Sequence, residues 1–275
     1  MTTNANYAEN LDSVVFTAAI APLVAGFGFL AHDTSPPRAC SASCFFVIVH
    51  GSWVMCTAAH VIDEVQTLLN NRVKLTDWHI NDGFTQNESH TMYPFNVMER
   101  ERFHLLDKPL GLDYCLIAVE SLAVDSIAHC GVRAIARHQT GNPLDADKLV
   151  VTGFVSDFTQ KNGSSITQRH YILGADRVER PDTWHPDENK ASVFGRLDSA
   201  ADPSLNTVNI GGMSGGPVFG LYKQDDGSSK IKLVAVQTGW KESTRIIMAC
   251  PIDPFLTAVE RLIDEGDIET EVVAA

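Results

Sequence analysis

Gly211-Gly212-Met213-Ser214-Gly215-Gly216-Pro217 is the stretch on which the reading of this chain turns. A serine set among glycines suits a nucleophile whose neighbouring backbone N–H groups must point at a developing oxyanion. Side chains there would block close approach and restrict φ, and glycine does neither. Two further residues fit the same chemistry upstream. Thr57-Ala58-Ala59-His60 ends an apolar run, and Gly111-Leu112-Asp113-Tyr114-Cys115-Leu116-Ile117 carries an acid into a predicted strand.

Residues 212–216 also satisfy G-x-S-x-G, the nucleophile elbow of α/β-hydrolases. That fold needs its histidine after the serine, and all ten histidines of this chain precede Ser214. The elbow is excluded, and the order His, Asp, Ser remains. On Thr57 to His60, the Asp113 strand, Gly212 to Pro217, and Leu233-Val234-Ala235-Val236 leading to Gly239, the chain resembles the chymotrypsin-like (trypsin-like) serine peptidases. The spacings from 60 to 113 and from 113 to 214 leave room for one barrel and then most of a second.

The resemblance implies an all-β fold of two abutting antiparallel six-stranded β-barrels with a C-terminal α-helix. Residues 1–140 would form the barrel carrying His60 and Asp113. Residues 141–275 would form the barrel carrying Ser214, with a helix over about 254–265. A length of 275 residues supports a core of this size without staples. Strands are expected at Cys44–Val49, Trp53–Thr57, Arg72–Ile80, Arg102–Leu106 and Leu112–Val119 in the first half. The second half would use Leu149–Val155, His170–Leu173, Ser192–Leu197, Thr207–Ile210, Pro217–Tyr222, Ile231–Val236 and Arg245–Pro251, with loops at 157–165 and 181–190. The apolar stretch from Val14 lacks a basic flank and is broken by Pro22, Gly26 and Gly28. It reads as a first strand over about 15–25 rather than a signal peptide or membrane span. A short helix or turn should follow His60. The convincing helix is C-terminal, with Asp253 as cap, Pro254 in the first turn and an apolar stripe from Phe255 to Ile263.

In the chemistry so implied, His60 takes the Ser214 proton and returns it to the leaving amine, and Asp113 fixes the imidazole tautomer. The N–H groups of Gly212 and Ser214 form the oxyanion hole, where a lost donor costs about 3–4 kcal/mol. By resemblance the primary pocket has Val208 at its base and Gln237, Thr238 and Gly239 along one wall. With no acid at Val208, a neutral residue is expected there rather than Lys or Arg. Cys40, Cys44, Cys56 and His60 have a spacing reminiscent of zinc ligands. The tight hairpin between them would bury or misdirect some of the four, so no metal or other cofactor is expected.

Departures from the family bear on regulation. Secreted relatives have a cysteine after the catalytic histidine, and here that residue is Val61. Digestive relatives have an acid before the serine that pairs with a freed N-terminus, and here Met213 stands in its place. The resemblance is therefore closer to intracellular bacterial and viral members, with reduced thiols, a cytoplasmic setting and no activation by N-terminal cleavage. A formal charge of −13 argues against nonspecific binding to nucleic acid or anionic membrane. The partner expected is a polypeptide substrate. The alternative is a catalytically silent or partner-activated peptide-binding protein on the same fold, in which a protein activator would assemble the hole.

Overall fold

The computed structural model describes residues 16–81, 93–162, 165–182, 184, 189–198 and 209–265. In the first half, seven strands form one antiparallel sheet: β1 (Ala25–Ala31), β2 (Arg38–Val49), β3 (Ser52–Thr57), β4 (Leu75–Asn81), β5 (Tyr93–Pro94), β6 (Arg102–Asp107) and β7 (Leu112–Ala118). Their order is β5-β4-β1-β2-β3-β7-β6. The seventh strand, beyond the six expected, is the two-residue β5, where Pro94 supplies no N–H to extend the pairing. Strand β2 changes partner along its length. Arg38 to Cys44 pair with β1, and Phe45 to Val49 pair with β3 across the two-residue turn His50-Gly51. Ser43 lies just before that change of partner.

The second half closes into a six-stranded antiparallel barrel. Its strands are β8 (Lys148–Asn162), β9 (Ser165–Val178), β10 (Val193–Leu197), β11 (Pro217–Lys223), β12 (Ser229–Lys241) and β13 (Ile246–Pro251), in the order β10-β13-β12-β11-β8-β9. The α-helices α1 (Ala59–Asn70), α2 (Ser121–His129) and α3 (Ile252–Asp264) flank the sheets. The expected all-β architecture with a C-terminal helix is thus the one that forms. Among the described residues, no helix is long and apolar enough to cross a membrane.

Alternation along the strands sorts the apolar residues into three clusters. One lies inside the first sheet, roofed by Val61, Ile62 and Val65 of α1 and Ala123 and Ile127 of α2. A second fills the second barrel around Leu149, Val151, Val218, Val234 and Ala249, and Met213 belongs to it. The third lies between the halves. It joins Phe45 and Tyr114 from the first sheet to Phe154 and Phe219 from the barrel and to Phe255 and Leu256 of α3. Each such buried side chain is worth about 1.5–3 kcal/mol, so this third cluster fixes the halves against each other and sets the cleft between them.

Several expectations are corrected. Residues 16–20 are helical and Ala21–Leu23 form a 3₁₀ turn, so the first strand begins at Ala25 rather than near residue 15. Phe16 and Ile20, one helical turn apart, both pack on the inter-half cluster, and Pro22 sits in the first turn of the 3₁₀ segment. The loop expected over 157–165 is the far end of the long β8–β9 hairpin, where Gln160 pairs with Thr167 and Asn162 with Ser165. Asp253 does not cap α3. Pro251 is the N-cap, and the Asp253 carboxylate instead receives Arg137 from the connection between the halves. The helix after His60 runs twelve residues, and α2 was not foreseen. Of the strand expected at Thr207–Ile210, residues 207 and 208 lie outside the described residues, and 209 and 210 are not in a strand.

Candidate active site

Strand β3 delivers Thr57 to the edge of the inter-half cleft, and the chain turns directly into α1 at Ala59. His60 therefore sits in the first turn of a helix, where backbone N–H groups have no intrahelical acceptor. The Asp113 carboxylate supplies one. Its Oδ1 accepts the His60 backbone N–H at 2.9 Å, and its Oδ2 lies 2.6 Å from His60 Nδ1. One carboxylate thus satisfies the helix terminus and orients the ring together, and its negative charge suits the positive end of the helix. Asp113 is held there because β7 pairs with β3, Cys115 opposite Thr57. Burial works to lower the His60 pKa, but the hydrogen bond and charge of Asp113, helped by Glu64 and Asp63, outweigh it and raise the pKa above 6.5.

Ser214 lies across the cleft in the loop leading to β11. A cavity of about 540 Å³ is lined by His60, Gly212 and Ser214 at one end and by Phe29, Cys40 and Leu68 toward the other. The loop is pinned through its peptide groups. Gly211 N–H donates to Asn209 Oδ1 at 2.9 Å, Met213 N–H to Ile210 O at 3.2 Å, Gly215 N–H to Gln237 O at 2.8 Å and Gly216 N–H to Met213 O at 2.9 Å. The Gly212 carbonyl accepts the Ser43 hydroxyl at 3.2 Å. Among the described residues, the N–H groups of Gly212 and Ser214 have no acceptor within the protein. Gly212 has φ +93°, a conformation in which side chains are strained.

Met213 is fully buried in the barrel core. Gln237 is buried; its amide N–H donates to Gly239 O at 3.0 Å, and its backbone exchanges hydrogen bonds with Gly215 and Gly216. Thr238 lines a smaller cleft of about 250 Å³ on the other side of Asp113. Val208 lies outside the described residues. The structure therefore brings His60, Gly212 and Ser214 to one cleft, holds Asp113 against His60, and puts Gln237 against the nucleophile loop. Of the cysteine–histidine spacing noted above, Cys44 and Cys56 are buried and His60 is engaged by Asp113. Among the described residues, no cluster of three or more His, Cys, Asp or Glu could hold a metal ion.

Ser43 and the hydroxyl of Thr57 escaped the sequence reading as contributors to this site. Thr57 Oγ1 donates to Ser43 O at 2.9 Å, and both residues are fully buried. The available signal was weak: a lone hydroxyl in the otherwise apolar run 42–49, with no hint of what it faces.

No family model matches the chain, and no curated protein matches it. Among solved structures, one similar chain comes from work on the coupled folding and binding of the intrinsically disordered Sesbania mosaic virus VPg protein. It is 14% identical with a TM-score of 0.42, over 84% of this chain and 89% of that one. Another, described as GrC, is 14% identical with a TM-score of 0.48, over 89% of this chain and 95% of that one. At this identity neither likeness assigns a chemistry.

Proposed function

We propose that the chain is a serine endopeptidase of the chymotrypsin-like type, acting on polypeptides through an acyl-enzyme on Ser214. The observation that carries this reading is the two-point contact of Asp113 with His60 beside a cleft lined by Ser214 and Gly212. A serine hydroxyl needs a positioned base, and the Nδ1–H···Asp113 bond leaves His60 Nε2 as that base. Ser214 Oγ attacks the scissile carbonyl carbon while its proton passes to Nε2. The tetrahedral oxyanion takes the open N–H groups of Gly212 and Ser214, and Nε2 then protonates the departing amine. Water repeats the sequence to release the acid. No cofactor is required by these steps.

The rival is a silent peptide-binding protein on the same fold, which the loss of an acid at Met213 first suggested. It would leave the hole unformed, and the two unpaired N–H groups favour the enzyme over it. The test is labelling of the folded chain with a fluorophosphonate probe. We expect labelling that disappears in Ser214→Ala and falls severely in His60→Ala. An unlabelled wild type, or label that persists in Ser214→Ala, overturns the reading.

A further inference from the structure

Met213 offers no acid behind the nucleophile, so something else must hold the hole. Ser43 is a side chain of the first sheet that hydrogen-bonds the nucleophile loop. It is fully buried at the corner where β2 changes partner. Its hydroxyl donates to Gly212 O at 3.2 Å and accepts Phe154 N–H from the barrel strand β8 at 2.8 Å. Its carbonyl accepts Thr57 Oγ1, three residues before His60, at 2.9 Å. One residue thus ties the base-bearing segment, the barrel wall and the hole.

The tie acts on a specific peptide plane. The Gly212–Met213 plane is held on its carbonyl edge by Ser43 and on its N–H edge by Ile210 O. With the Gly211 N–H fixed by Asn209, the planes on both sides of the Gly211–Gly212 peptide are anchored. That middle peptide is the one whose rotation would turn the Gly212 N–H out of the cleft, and glycine alone offers little resistance to it. The hydroxyl is closely packed against the barrel wall. A Cβ on Gly153 would sit 2.6 Å from Ser43 Oγ and 3.2 Å from Met213 Cα.

Resting on the serine-hydrolase reading above, we infer that Ser43 is a positioning residue that holds the oxyanion hole assembled through a hydroxyl clamp from the opposite half, so the hole needs no activating partner. Ser43 touches no substrate. Its effect belongs to the reaction step and not to binding.

Saturation kinetics of fluorophosphonate labelling test this on the full chain. Ser43→Ala should lower the limiting labelling rate by about tenfold to a hundredfold, below the roughly 10²–10³ of losing a hole donor outright, with the half-saturating concentration unchanged. Gly153→Ala, which keeps Ser43 but displaces its hydroxyl, should fall likewise. Arg137→Ala, which loosens the chain far from the cleft, serves as a stability control and should label at the wild-type rate. If wild type labels and both clamp variants keep the wild-type limiting rate, the clamp is wrong while the hydrolase stands. A loss matched by Arg137→Ala at equal loss of stability likewise overturns it, as general loosening. A folded wild type that does not label removes the hydrolase reading itself and the clamp with it.

Discussion

The ring of Tyr114 lies face to face on that of Phe255, centroids 4.0 Å apart and planes within 6°, while the Tyr114 hydroxyl donates to Pro251 O at 2.6 Å. The residue after Asp113 is in this way fastened to the terminal helix, and α3 backs the strand that carries the acid. A stacked pair adds about 0.5–1.5 kcal/mol to what burial of the rings contributes. Phe255→Ala should cost about 3–5 kcal/mol of stability, read as a lower urea midpoint with two-state behaviour retained. A loss under about 1 kcal/mol would mean the helix is dispensable to the inter-half core.

The pH profile follows from the direction of the His60 shift. Only neutral His60 can accept a proton, and its pKa lies above 6.5 in the folded chain. The acid limb of the labelling-rate profile should therefore have its midpoint above 6.5. Asp113→Asn removes the main raising interactions and leaves burial opposed only by Glu64 and Asp63, so the midpoint should drop while the limiting rate falls by about 10⁴. In the linkage sense, the protonated His60–Asp113 pair contributes stability fully below the unfolded histidine value of about 6.5, lost as pH rises through the higher folded value. An unchanged midpoint in Asp113→Asn would show that the carboxylate does not set the histidine.

Arg137 joins the connection between the halves to α3. It donates to Asp253, to Glu260 Oε2 at 3.2 Å and to Thr257 Oγ1 at 2.6 Å. These groups are partly solvated, so Arg137→Ala should cost only about 1–2 kcal/mol. Thermal melts at low and high salt check both the size and its partial screening.

Gly215 occupies φ +87°, and a Cβ there would fall 2.1 Å from Thr57 Oγ1 and 2.5 Å from Ser43 O. Neither neighbour can withdraw, since each hydrogen-bonds the other. Gly215→Ala should abolish labelling and lower the melting temperature. Labelling at more than about a tenth of the wild-type rate, a loss of about 1.4 kcal/mol, would show the two halves less closely seated than this contact requires.

Many of the strands could be read from the residues themselves, whereas their arrangement was what the resemblance implied. Strands β2, β3, β7 and β11 have β-branched or aromatic runs bounded by turn residues, and His60, Asp113 and Ser214 lie at their ends. The failures have separate causes. The apolar residues at 61, 62, 65 and 68 have helical spacing, yet only a short helix or turn was expected after His60, where a twelve-residue helix forms. In 157–165 the polar composition suggested a loop, whereas the β8–β9 ladder is held by main-chain bonds that composition does not report. Ser43 could not be found at all by such reading. Its role exists only once β2, β8 and the nucleophile loop meet, and nothing local in 41–45 specifies that meeting.

Residues 108–110 and 189–191 are joined across the halves by backbone hydrogen bonds: Asn189, Lys190 and Ala191 N–H donate to the carbonyls of Lys108, Pro109 and Leu110 at 2.9, 3.3 and 2.8 Å. Main-chain bonds are indifferent to the identity of most side chains. This rim of the cleft can therefore drift in sequence, acquiring new surface chemistry near Asp113 while its spacing is preserved. Asn189, at φ +58°, and Gly111, where a Cβ would lie 2.6 Å from Asn189 Cα, are the exceptions. Selection can rewrite what borders the cleft far more freely than it can alter the distance across it.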